Sequence, residues 1–312
     1  MSFIKIKKKI KNFNKNLITV GDKSLSIRWA LLASQSLYKS RSYNLLISED
    51  VINTLSCLKK LGVKIKLTKR FCEIYGVGLN GFKYKKKLLL NAGNSGTLGR
   101  LIMGLLVHSK NNVKLKGDRS LSKRDFLRVS EPLAKFGARF KTNFGKLPIL
   151  IKGTDEAIPI SYHENKGSAQ CKSAVMLAAL NTNGETTIKA KKSRNHTELL
   201  FRHLKIPIKI YKKKNYDLIK IKGKKKLPAI NYKIPSDISS SSFFIVLTAL
   251  SKNSKLRIKN ININPSRTGI ITILKMMNVK IKKKNIRVYK GEKVADLIIQ
   301  SSKKFKSINC PV

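Results

Sequence analysis

The sequence is poor in acid. Against 67 Lys and Arg it carries only 16 Asp and Glu, a formal net charge of +51. It has no apolar run near the roughly 18 residues of a membrane-spanning helix. Its longest such stretches, Leu101–Val107 and Phe243–Leu250, suit buried helices instead. Cysteine is scarce. Cys57, Cys72, Cys171 and Cys310 show no C-x-x-C spacing, which excludes a disulfide framework and fits a reducing cytosol. The four His, at 108, 163, 196 and 203, lack the spacing of a metal site. No G-x-x-x-x-G-K-S/T run is present, so there is no P-loop. Gly76-Val-Gly78-Leu-Asn-Gly81 does spell G-x-G-x-x-G. It follows a hairpin strand, however, and FKYKKKLLL comes next rather than a helix. The dinucleotide reading needs strand, turn and helix, and is rejected. The N-terminal MSFIKIKKKIKNF lacks the apolar centre of a secretion signal and the Arg/Ser bias of a transit peptide. It reads as a basic β-strand.

What is present is a globular composition. The 312 residues are 42% hydrophobic and 27% charged, enough for two ordinary domains with a core in each. The positive excess invites a nucleic-acid reading. Two details weigh against it. Arg supplies only 13 of the 67 cations, whereas a surface that grips phosphates or reads bases favours the rigid Arg fork. The excess is also spread along the chain among many Ile and Asn. We read it as Lys on solvated surfaces. A basic nucleic-acid-binding protein stays as a competing class, whose mark would be tight binding with a steep salt slope.

Internal repeats organise the chain. Four segments run from a small polar loop straight into an apolar helix: GDKSLSIRWALLA, GNSGTLGRLIMGLL, GSAQCKSAVMLAAL and SDISSSSFFIVLTAL. Aligned on Ser24, Ser95, Ser168 and Ser239, they are 71, 73 and 71 residues apart. NTLSCLKKLGVKI, SEPLAKFGARF, TELLFRHLKIPIKI and GIITILKMMNVKI follow in phase, each an amphipathic helix, a tight turn and a strand. Hairpins come third: VKIKLTKRFCEIYG, ARFKTNFGKLPILIKG, IKIYKKKNYDLIKIKG and VKIKKKNIRVYKG. Each unit therefore reads strand, helix, strand, helix, hairpin. The Lys runs 212–214 and 282–284 are expected at hairpin turns.

GDKSLSIR, GNSGTLGR, GDRSLSKR, GSAQCKSA, SRNHTE, SDISSSSFF and NPSRTG, in this order from Gly21 to about Leu297, resemble the enolpyruvyl transferases. Within them, the resemblance is to the EPSP synthase family of the shikimate pathway. It implies an α/β fold of two domains built from repeated βαβαββ units, with the active site in a cleft between them. Residues 21–233 would form a complete three-unit domain. Residues 1–20 plus 234–312 would form a partial second domain, the chain crossing near Val20 and Lys233. Four Ser/Gly-to-helix junctions are present where six are expected, so roughly 120–140 residues of the family pattern would lie beyond Val312. The family's catalytic Asp base, a Glu and several Arg and Lys fall there, and no catalytic residue is assigned within the chain. An incomplete second domain should expose strand edges and apolar faces and be poorly stable alone.

The implied reaction transfers the enolpyruvyl group of phosphoenolpyruvate to the 5-hydroxyl of shikimate 3-phosphate and releases phosphate. It runs by addition and elimination through a tetrahedral intermediate. Both substrates are doubly anionic in kind, each with a carboxylate and a phosphate. Helix N-termini, small Ser/Gly loops and cations are what such ligands need. By resemblance, phosphoenolpyruvate would meet Lys23, Asn94, Gly96, Arg124 and Gln170. Shikimate 3-phosphate would meet Lys23, Ser24, Arg28, Ser168, Gln170, Ser193 and Arg194. Taken alone, Ser24 and Ser168 also read as helix N-caps. Arg100 reads as a structural residue a turn into its helix. Asp125 stands where the family usually has Pro, and could tilt or partly neutralise Arg124. His196 and Glu198 are expected to cap and orient their helix, Asp237 to cap its own, and NPSRTG to be structural. The resemblance implies no metal, no cofactor, no membrane and no specific nucleic acid, in a cytoplasmic monomer. Three alternatives remain: a transferase acting on UDP-N-acetylglucosamine, a truncated inactive relic or fragment, and the nucleic-acid binder.

Overall fold

The computed structural model describes residue 5 and residues 10–309. Most of the expected N-terminal strand, and Cys310, lie outside them. The chain divides into two compact units: Met1–Asp22 with Pro235–Val312, and Lys23–Ile234.

The middle repeat of the larger unit shows the plan. Strand Lys87–Asn91 leads to helix Gly96–Leu106, then strand Asn112–Lys116, helix Leu127–Ala134 and a hairpin of Arg139–Asn143 with Lys146–Lys152. The first two strands pair in parallel, because a helix must carry the chain back between them. The hairpin adds two antiparallel strands. In Lys146–Lys152 the sequence KLPILIK alternates, burying Leu147, Ile149 and Ile151 on one face. The next repeat follows the same course: Ser161–Glu164, helix Ala169–Ala179, Glu185–Lys191, helix His196–His203, and the hairpin Ile208–Lys212 with Tyr216–Lys222. The first repeat has helix Lys23–Ser34, strand Lys39–Tyr43, helix Glu49–Lys60 and the hairpin Lys64–Leu67 with Phe71–Tyr75. Its opening strand comes from the far end of the unit, Tyr232–Lys233 pairing in parallel with Ser42 and Tyr43. Each of these sheets has four strands.

Helices Lys23–Ser34, Gly96–Leu106 and Ala169–Ala179 are buried nearly all round, with Arg28 and Lys172 inside among the apolar side chains. Gly104 lets two of them cross closely, since a Cβ there would stand 2.1 Å from the Ala174 carbonyl oxygen. Gly76, Gly153 and Gly223 recur just after the last strand of the three sheets. A Cβ on each would stand 2.1, 2.4 and 2.0 Å from backbone at the end of the inner helix above it. The apparent dinucleotide motif at Gly76 is thus a packing glycine, and no helix follows it.

The smaller unit has one sheet. Strand Asn14–Leu17 pairs in parallel with Lys255–Asn262, and the hairpin Ile281–Tyr289 with Glu292–Gln300 completes it. Helices Ile238–Leu250 and Gly269–Met276 pack on it around Ile258, Ile261, Leu297 and Ile299. Two expectations are corrected here. Lys282–Lys284 lie inside a long strand, and a bulge with Asn285 at φ 51° occupies the place where a turn was expected. Asn tolerates this left-handed backbone, so it mimicked a turn signal. Phe243–Leu250 is helical but buried on one face only: Ile245, Thr248 and Ala249 are inside, while Phe243 is 78% and Leu250 66% exposed.

Candidate active site

The expected site residues fall in the Lys23–Ile234 unit, around the N-terminal ends of its helices. Ser95 and Ser168 are N-caps. Ser95 Oγ accepts the Leu98 N–H at 3.2 Å and Ser168 Oγ that of Cys171 at 3.3 Å, each satisfying one of the free amides of a helix start. Their repeat counterparts Ser24 and Ser239 lie two positions further in, as second residues of their helices. Before Ser239, Asp237 is the cap, accepting its N–H at 2.6 Å.

Gln170 ties two helix starts together. Its Oε1 accepts from Arg100 Nη1 at 2.7 Å, and its Nε2 donates to Thr97 Oγ1 at 3.0 Å. Arg100 stands one turn into helix Gly96–Leu106. Its Nη2 donates to the Asp125 carbonyl at 3.1 Å, and its guanidinium lies 5.0 Å from the centre of the Phe126 ring. It therefore holds Gln170, a role its sequence context did not reveal. Burial first, and the nearby Arg128 cation second, pull Arg100 below the ordinary arginine range. Desolvated, crowded cations of this kind are relieved by an incoming anion.

Arg124 Nη2 donates to Asn94 Oδ1 at 3.4 Å, and Asn94 Nδ2 to Asp118 Oδ2 at 2.8 Å. Gly96 stands beside them. A Cβ on it would be 3.0 Å from Arg100 Nη1 and 3.2 Å from Arg124 Nη1, so the two guanidinium groups close on this backbone and a side chain there would crowd them. Among the described residues Asp125 makes no ion pair with Arg124. Its carboxylate accepts the Leu127 N–H at 2.8 Å, at the start of helix Leu127–Ala134.

Arg28 joins three helices. Its Nη1 donates to the Ser24 carbonyl at 3.1 Å, its Nε to Thr197 Oγ1 at 2.8 Å and its Nη2 to Ser173 Oγ at 3.1 Å. Ser173 and Thr197 also bond each other at 2.7 Å. Lys23 reaches Asp50 at 3.4 Å, a half-exposed pair at the start of helix Glu49–Lys60. Ser193 and Arg194 lie in the loop before helix His196–His203. Arg194 is exposed, whereas the Ser193 hydroxyl is buried with no hydrogen-bond partner. Glu198 does not cap this helix. It pairs with Lys172 at 2.5 Å, both side chains almost wholly buried. The cap position is Asn195, whose side chain makes no capping bond to the helix.

Comparison with known proteins gives this arrangement its family. The model for EPSP synthase (3-phosphoshikimate 1-carboxyvinyltransferase) matches residues 7–310. The chain belongs to the EPSP synthase family. Members of this family are transferases that move the enolpyruvyl group of phosphoenolpyruvate to shikimate 3-phosphate in the shikimate pathway. The chain is 42% identical over 297 residues to the 3-phosphoshikimate 1-carboxyvinyltransferase of Vesicomyosocius okutanii, covering 95% of this chain and 67% of that protein. The enzyme of the same name from Petrotoga mobilis is 40% identical, with 93% of this chain and 67% of that one covered. The EPSP synthase structure from Acinetobacter baumannii aligns with a TM-score of 0.87 at 35% identity, over 96% of this chain and 67% of that one. The chain thus spans about two thirds of the length of these EPSP synthases. Among the described residues, no group of three or more His, Cys, Asp and Glu could hold a metal ion. No helix among them is long and apolar enough to cross a membrane.

Proposed function

We propose that this chain binds shikimate 3-phosphate and phosphoenolpyruvate in the Lys23–Ile234 unit and serves the enolpyruvyl transfer of its family to the 5-hydroxyl. Gln170 carries the reading. It is held by Arg100 and Thr97, beside Gly96, where the Arg100 and Arg124 guanidinium groups close on the backbone. Arg124, Asn94, Gly96 and Lys23 take phosphoenolpyruvate there. Arg28, Ser24, Ser168, Ser193 and Arg194 take shikimate 3-phosphate, with Lys23 and Gln170 contacting both ligands. The unpartnered Ser193 hydroxyl supports this, because a buried donor is satisfied by a ligand oxygen. The cations and helix starts neutralise two anionic substrates and hold them at reacting distance, which is where much of a two-substrate rate enhancement arises. The three described cysteines, all free and buried, fit a reducing cytoplasm, and we take the working form to be monomeric.

Titration calorimetry of the 312-residue chain tests this. Shikimate 3-phosphate should bind, and Gln170→Ala should weaken it by about 10- to 100-fold, the worth of a charge-assisted or buried hydrogen bond. Heat with UDP-N-acetylglucosamine and none with shikimate 3-phosphate would overturn the reading. So would tight DNA binding whose affinity falls steeply with salt.

A further inference from the structure

The buried ion pair of Lys172 and Glu198 uses no residue assigned above to a substrate, although the Lys172 N–H donates to the Ser168 carbonyl at 3.1 Å, and its neighbours in sequence are the ones that hold Arg28. Lys172–Ser173 on helix Ala169–Ala179 faces Thr197–Glu198 on helix His196–His203 as two rungs. One rung is the ion pair, 2.5 Å between Nζ and Oε1 with the residues 0% and 2% exposed. The other is the 2.7 Å bond of Ser173 to Thr197, and both of those hydroxyls accept from Arg28. Lys172 also occupies the same repeat position as Arg28, each four residues after the aligned serine. Two equivalent cations from different repeats thus converge on one helix.

We infer that Lys172 and Glu198 are positioning residues for the shikimate 3-phosphate half of the site, which rests on the function proposed above. A buried ion pair is poor evidence of stability, because desolvating both charges offsets their attraction. It does fix geometry, since its energy falls steeply as the charges separate at low dielectric. Here it sets the register of the two helices. That register decides where Ser173 and Thr197 stand, and hence where the Arg28 guanidinium points. It also sets the exit of the loop carrying Ser193 and Arg194, which ends two residues before Thr197. Neither charge touches a substrate in this scheme.

The test separates geometry from stability. In Lys172→Met/Glu198→Leu both charges go and the volume stays, so the melting temperature should hold or rise. Shikimate 3-phosphate affinity, by calorimetry on the full chain, should fall about tenfold, in line with the strong dependence of site function on sub-ångström placement. If this variant does not fold, Lys172→Met/Glu198→Gln, isosteric at both positions, takes its place. Affinity within twofold of the parent chain in a folded double variant would overturn the inference and leave the function standing. Absence of binding by the parent chain would overturn both. Single removal of either charge should destabilise strongly, because the other is then buried alone, and that result by itself would count only as structure.

Discussion

The same helix recurs in the two units and meets different surroundings. Leu32, Met103, Met176 and Leu247 each stand eight residues after the aligned serine of their repeat. The first three are 1%, 0% and 0% exposed, and Leu247 is 38% exposed. Three residues further on, Gln35, Leu106 and Ala179 are buried, while Leu250 is 66% exposed. The helix in the smaller unit is no less apolar than its counterparts. In the larger unit three such helices belong to three sheets of one compact body, and in the smaller unit there is one sheet. Burial is therefore a property of how many repeats share a core, not of the repeat itself.

Substitution at equivalent positions should expose this difference most strongly. Met103→Ala removes a wholly buried side chain and should cost about 2–5 kcal/mol. Leu247→Ala should cost less than about 1 kcal/mol, because much of its surface is already in water. Paired denaturant melts read both values. A loss at Leu247 equal to that at Met103 would mean that the exposed face is covered in solution, and the comparison would fail.

A second contrast lies below the helix ends. Gly76 and Gly223 donate their N–H to the carbonyls of Tyr38 and Gly184, and Ser301 donates to Ser254 at the corresponding place in the smaller unit. The larger unit needs glycine because the inner helix ends so close above. The smaller unit carries a Cβ at the same point. Gly223→Ala should therefore destabilise by about 1–3 kcal/mol through overpacking, whereas Ser301→Ala should stay within about 0.5 kcal/mol. Comparable losses at the two sites would show that the glycines are not set by packing.

These contrasts also mark what the sequence could reveal. The repeat plan was legible because Ser24, Ser95, Ser168 and Ser239 open four apolar helices at nearly constant spacing. The hairpins of the larger unit were legible from alternation. The fourth was misplaced, since Lys282–Asn285 has turn composition but the chain absorbs it as a bulge. The helical state of Phe243–Leu250 was legible and its exposure was not, because burial depends on neighbours remote in sequence. At the site, Ser168 and Gln170 could be named from their motif. The side-chain roles of Arg100 and Thr97 could not, because their partner Gln170 lies about seventy residues away. Lys172 and Glu198 are 26 residues apart in two different motifs. The one available hint was that Lys172 repeats the position of Arg28.

The smallest expected effect separates the two units by pH. All four His lie in the larger unit. His108 follows helix Gly96–Leu106, is nearly buried, and places Nε2 3.1 Å from the Ala178 carbonyl oxygen and 3.3 Å from Thr182 Oγ1. Burial, the largest influence, holds it below the ordinary histidine value despite that carbonyl, and Lys224 acts in the same direction. The folded state therefore binds this proton less readily than the unfolded chain. Its contribution to stability is fully present above the unfolded value near 6.5 and is lost as pH falls through the lower folded value. One such group changes stability by at most about 1.4 kcal/mol per pH unit. Between pH 6.5 and 5, before most carboxylates titrate, hydrogen-exchange protection, corrected for the slower intrinsic exchange at lower pH, should fall in the larger unit and hold steady in the smaller. His108→Gln, which keeps a donor for Ala178 but cannot titrate, should flatten that response. An unchanged pH slope in this variant would assign the acid sensitivity to other groups and remove this distinction between the units.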